Sequence, residues 1–152
     1  MQPSPADTRR APSPVHRPVA EDLGDIGPAV QWADDRAAAA GIGETVRFAI
    51  QICLEEALAN LILHAQARAG GKDIAVGFAA DSAGATITVW DCCLPFNVTT
   101  TPIPAMPSLE DMQEGGQGLR LLRHFSTELS YRSLDGRNEL RMGFRPAAGM
   151  VT

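Results

Sequence analysis

Apolar and polar residues repeat along this chain with two periods, and the changes between them mark off its elements. Val15 to Ala20 reads as a short strand, which Pro18, lacking an N–H for a ladder, restricts to a sheet edge. Ala29 to Ala40 follows a helical spacing, ended by Gly41 and Gly43. The longest helical segment runs from Thr45 to Ala69 and is closed by Gly70-Gly71. Ile50, Leu54, Leu58, Leu61 and Ile62 supply its apolar surface. A period of two then takes over. Ile74, Val76 and Phe78, followed by Ile87 and Val89 after a turn at Asp81 to Gly84, predict an antiparallel hairpin. Gly118 to Phe125 is a second buried helix. Leu129 to Arg132 and Leu140 to Phe144 flank a Leu-Asp-Gly-Arg turn, a further hairpin with an Asp-Gly signal.

The order strand, helix, helix, hairpin, long connection, helix, hairpin predicts an α/β fold. It is a two-layer α/β sandwich with helices packed on one face of a mixed, mainly antiparallel sheet. The folded unit is set at residues 15–146, between a proline-rich polar tail at 1–14 and a short C-terminal tail at 147–152. The connection from Asn97 to Glu114 has no clear period and carries Pro102, Pro104 and Pro107. A stretch of that length is either a plain surface loop or a cover over a ligand, and its place just before a glycine cluster favours the cover.

Composition narrows the class. In 152 residues, 45% are hydrophobic and 20% charged, as in an ordinary soluble domain with a full core. A formal charge of −5 disfavours broad electrostatic binding to nucleic acid or to an anionic membrane. No apolar stretch approaches the roughly 20 residues of a bilayer span. No secretory core opens the chain, so a cytoplasmic location is expected. Cys53, Cys92 and Cys93 make an odd count without CxxC spacing, which points to reduced thiols and away from a zinc site.

Three features carry candidate chemistry. Glu56, Asn60 and His64 lie at steps of four on the long helix, so a carboxylate and an amide share one face. Such a stripe is often only a solvated face, but Asn is a poor interior helix residue and here has Ala57, Ala59 and Leu61 around it. Asp91 ends an apolar strand before Pro95-Phe96-Asn97. An Asp there is commonly a turn former, and the alternative is an acceptor for the exocyclic amine of adenine, which guanine lacks at that position. Gly115-Gly116-Gln117-Gly118-Leu119 opens a helix, where glycines let free N–H groups and the helix dipole approach phosphate. It lacks the Lys-Ser/Thr ending of a P-loop. A nucleotide site requires the acid-amide edge to face the glycine turn across a cavity able to take a triphosphate.

Taken in order, these motifs resemble the GHKL superfamily of histidine-kinase-like ATPases. The stand-alone members that are anti-sigma factors and serine-protein kinases are the nearest match. Leu54-Glu55-Glu56-Ala57-Leu58-Ala59-Asn60 is similar to their N-box, Asp91 with Pro95-Phe96-Asn97 to the first glycine box, and Gly115 to Leu119 to the second. Tyr131-Arg132 through Asp135-Gly136-Arg137-Asn138 resembles the closing hairpin. The resemblance covers about residues 15–145. It implies ATP and Mg²⁺ as cofactors, Glu56 as general base toward a partner's serine, Asn60 as metal ligand and Asp91 as adenine acceptor. Gly116, Gly118 and Leu119 would line the phosphate pocket. His64 is taken as structural, and Arg120 as either a phosphate contact or a solvated side chain. The implied partners are a sigma factor, held inactive, and a STAS-type anti-sigma antagonist, with a homodimer formed through the sheet. The chain departs from the family at Cys93, which replaces a motif glycine beside the base. A side chain there is expected to narrow the adenine pocket, or to strain the backbone if φ must be positive, and so to lower affinity and turnover. A sequestering module with little catalysis is therefore the second reading.

Overall fold

The computed structural model describes residues 15–100 and 116–146. The two tails, the connection from 101 onward and Gly115 lie outside the described residues. Strand β1 (Val15–Val19) is followed by a single 3-10 turn and helix α1 (Ile26–Ala39). Then come α2 (Glu44–Leu63), β2 (Ile74–Asp81), β3 (Gly84–Asp91), α3 (Gly116–Phe125), β4 (Glu128–Leu134) and β5 (Arg137–Phe144). The strands lie in the order β1-β2-β3-β5-β4, and all four pairings are antiparallel. The sheet is thus purely antiparallel among the described residues, where a mixed one was expected. As expected, β1 lies at an edge.

Register explains where the core lies. Val76 pairs with Val89, Phe78 with Ile87, Ile87 with Met142 and Val89 with Leu140. Alternate side chains share a face, so these residues form one apolar layer. Ile50, Leu54 and Leu58 of α2, Leu122 of α3 and Ala29, Ala33 and Ala37 of α1 close over it, all at 1% exposure or less. Continuing the same face to the strand ends brings Asp91 opposite Asn138. The register therefore delivers a polar pair to the rim of an apolar layer.

Two helix boundaries differ from expectation, for local reasons. Helix α1 starts at Ile26, before Ala29, because Pro28 falls in the first turn, where an N–H is not needed. Helix α2 ends at Leu63 instead of Ala69. Lys72 Nζ donates to the carbonyls of Leu61 at 2.7 Å and Ile62 at 2.9 Å, and a cation at that terminus also suits the helix dipole. The N–H groups of His64 and Ala65 both return to Asn60 O at 3.0 Å. His64 is then an exposed cap and not a third member of the polar line. In the β4–β5 turn Asp135 and Gly136 have φ of 54° and 79°, as a type I′ hairpin requires.

Candidate nucleotide site

Glu56 and Asn60 are half-buried on the side of α2 that meets α3. The two helices are also joined by the buried Cys53 thiol, which donates to Leu121 O at 3.7 Å. Burial, reinforced by the Glu56 charge, pushes that thiol up to about 12, so it stays protonated. A Cβ built on Gly118 would lie 2.9 Å from Glu56 Oε2 and 3.2 Å from Asn60 Nδ2. The acid and the amide occupy the space that a side chain at 118 would take. Neither side chain makes a hydrogen bond among the described residues. Burial raises the pKa of Glu56, and the neighbouring Glu55 charge adds to the shift.

The acid-amide edge and Gly118 are therefore close neighbours, with the two side chains filling the space between them where a triphosphate-sized cavity was expected. Gly116 is the first residue of α3. Leu119 is half-buried and packs against the apolar core. The Asn60 amide oxygen is a hard donor, the kind that suits Mg²⁺, and the Glu56 carboxylate beside it adds negative charge near such an ion. That ion is commonly held by one or two protein oxygens together with phosphates and water. These residues fit the ion.

A second cluster surrounds Asp91, which is 6% exposed. Its Oδ1 accepts from Cys93 N at 2.9 Å and from Asn138 Nδ2 at 2.8 Å. Asn138 Nδ2 also donates to Cys93 O at 2.9 Å. Tyr131 closes the following loop by accepting from Phe96 N at 3.1 Å. Burial raises the Tyr131 pKa, the Phe96 N–H opposes the shift, and the Asp91 charge adds to it.

Cys93 is not among the described residues with positive φ, so the anticipated backbone strain is absent. Its side chain is turned inward at 1% exposure. Burial first, then the charge and hydrogen bonding of Asp91, push the thiol up to about 12. Cys93 is a neutral group beside the carboxyl and not a reactive nucleophile.

The two clusters lie at the same end of α2. Lys72, which caps that helix, accepts from Cys92 N at 2.6 Å through its own carbonyl. Leu94 N donates to Gln66 O at 2.9 Å, and Arg68 Nε to Cys93 O at 3.3 Å. The chain leaving α2 is thus stitched to the loop after β3. Arg120 is half-buried near the start of α3.

Sequence reasoning placed Asp91 but missed its clamp. Asn138 had been noticed only as part of a hairpin motif. The signal was nonetheless present, because 138 continues the inward face set by Leu140, Met142 and Phe144, where a polar residue needs a reason. Tyr131 and Lys72 were missed in their tethering roles, since both act through backbone groups distant in sequence.

An antiparallel sheet covered on one face by helices, with an acid-amide pair against a helix-opening glycine, defines the class. The chain belongs to the histidine kinase-like ATPase domain family, which it matches over residues 19–144. An ATPase domain of this kind implies ATP as its nucleotide. The chain is also 31% identical over 115 residues to a protein of Bordetella bronchiseptica, serine/threonine-protein kinase BtrW. The match covers 75% of this chain and 81% of that relative. No helix among the described residues is long and apolar enough to cross a membrane.

Proposed function

We propose that this protein is an anti-sigma factor and ATP-dependent serine-protein kinase. It sequesters a sigma factor in the cytoplasm and phosphorylates a STAS-type antagonist, so that the sigma factor is released or recaptured by partner exchange. The observation that carries the reading is the contact of Gly118 with Glu56 and Asn60. The similarity to a serine/threonine-protein kinase supports it.

Phosphoryl transfer depends mainly on positioning and on neutralising charge. Glu56 takes the proton of the antagonist's serine as the serine oxygen bonds to the γ-phosphorus and the bond to the bridging oxygen breaks, leaving ADP. Burial raises its pKa, which makes it a stronger base than an exposed glutamate. Asn60 would supply an oxygen to Mg²⁺, and the ion would offset the phosphate charge. Asp91 accepts from the adenine amine, Cys93 borders that contact, and Gly116 and Gly118 admit the phosphates to the N-terminal N–H groups of α3, next to Leu119.

The decisive experiment incubates the full chain with Mg-ATP and candidate STAS-domain proteins and measures phosphoserine. Binding of the antagonist with no transfer would favour the second reading, a sequestering module. The inward thiol of Cys93, against Asp91, is the observation that speaks for that alternative.

Gly118→Ala separates the site from the fold. The atoms it would displace are the tips of two side chains, which can swing away, so the urea midpoint should hardly move. Mg-ATP affinity should fall about tenfold, equivalent to about 1.4 kcal/mol. An unchanged affinity, measured by titration calorimetry, would separate Gly118 from the nucleotide.

A further inference from the structure

Asn138 is 1% exposed, and its side chain is unusual in how it is satisfied. Both partners of Nδ2, Asp91 Oδ1 at 2.8 Å and the carbonyl of Cys93 at 2.9 Å, are acceptors. Only the NH₂ end of the amide can serve them, so the orientation of the group is fixed. Oδ1 of Asn138 is buried and has no hydrogen-bond partner among the described residues. A cross-strand bridge that served folding alone would gain nothing from stranding that oxygen, since an apolar residue of similar size would avoid the loss.

The effect of the clamp is on Asp91. Its Oδ1 receives two N–H donors, from Cys93 and Asn138, while among the described residues no N–H reaches Oδ2, and the Cys93 thiol also hydrogen-bonds the carboxyl. A carboxyl with one oxygen held this way cannot turn about its last bond without breaking both contacts. We propose that Asn138 is a positioning residue that sets nucleotide specificity, fixing Asp91 so that Oδ2 is presented to the exocyclic amine of a purine. This rests on the reading of Asp91 as the adenine acceptor. It goes further in locating part of the discrimination on β5, in a residue that holds the acceptor in place. The stranded Oδ1 is the cost of using both amide hydrogens for that purpose.

The test compares ATP with purine riboside 5′-triphosphate, which lacks the 6-amino group. Dissociation constants are measured by calorimetry on the full chain with Mg²⁺, and urea midpoints are taken on the same preparations. The wild type should favour ATP. Asn138→Leu keeps the number and branching of the side-chain heavy atoms and removes the amide, so the preference should fall about tenfold toward unity with the analogue's affinity unchanged. Asn138→Thr retains a hydroxyl donor of shorter reach and should lower the preference about threefold, which keeps the test open if the leucine variant does not fold. An unaltered preference in whichever variant folds would reduce Asn138 to a structural bridge and overturn the proposal. Asp91→Asn separates the two levels. If it abolishes the preference while the Asn138 variants keep it, only the role of Asn138 fails. If it too keeps the preference, the adenine reading of Asp91 fails and the proposal falls with it.

Discussion

Glu56→Gln is expected to stop phosphoserine formation and at the same time to give a more stable protein at neutral pH. Loss of a general base lowers a rate by about 10²–10⁴. The amide keeps the shape of the side chain beside Gly118, so the loss should appear in turnover far more than in Mg-ATP affinity. The stability gain follows from the raised pKa of Glu56, caused first by burial and then by Glu55. A carboxyl whose pKa is higher in the folded chain binds its proton more tightly there than when unfolded. Its contribution is fully present below the unfolded pKa and is lost as pH rises through the folded one. At neutral pH the ionised group opposes folding, and glutamine removes that opposition. Urea midpoints of the two proteins should diverge near neutrality and converge in acid, where wild-type Glu56 is protonated. A variant that is less stable at neutral pH, or a transfer rate within a few-fold of wild type, would count against Glu56 as a desolvated base.

Much of the fold was legible because the apolar spacing is regular where the core is deepest. Ile74, Val76 and Phe78 against Ile87 and Val89 gave one hairpin, and Asp135-Gly136 gave the other. What escaped was set by contacts between residues distant in sequence. Helical spacing alone extends α2 to Ala69. Its real end depends on Lys72 folding back onto two carbonyls, and a window along the chain does not register that contact. The Glu56–Asn60 pair was legible from its step of four, whereas His64 was misplaced because it lies beyond that end. Asn60 stood out because it interrupts an apolar stretch. Asn138 did not, because its meaning appears only after β5 is registered against β3. The concern over Cys93 had two parts, a side chain narrowing the pocket and a motif glycine treated as a backbone requirement. In this chain φ there is not positive, so what remains at that position is the thiol itself, packed against Asp91.

Gly84→Ala is expected to remove a large part of the folding stability, and it shows why one glycine is indispensable to the fold while Gly118 matters only to the site. At Gly84, φ is +151° and an added Cβ would lie 2.1 Å from Phe144 O and 3.2 Å from Arg145 Cα. Those are backbone atoms of the last residue of β5 and the one after it, so no side-chain rotation relieves the overlap, and β3 would have to part from β5 at its first pair. Backbone strain of this kind costs about 1–3 kcal/mol, and overpacking a similar amount. Together these are a large fraction of the about 5–15 kcal/mol that holds a domain folded. The urea midpoint should fall sharply at constant slope, since the native surface is otherwise unchanged. Mg-ATP affinity of the fraction that remains folded should match wild type, because residue 84 sits at the hairpin turn, at the opposite end of β3 from Asp91. Gly118→Ala should give the reverse pattern, a steady midpoint with weakened binding. If the two substitutions behaved alike, the distinction between a glycine required by strand geometry and one required by the acid-amide pair would be lost, and with it the case that Gly118 belongs to the site.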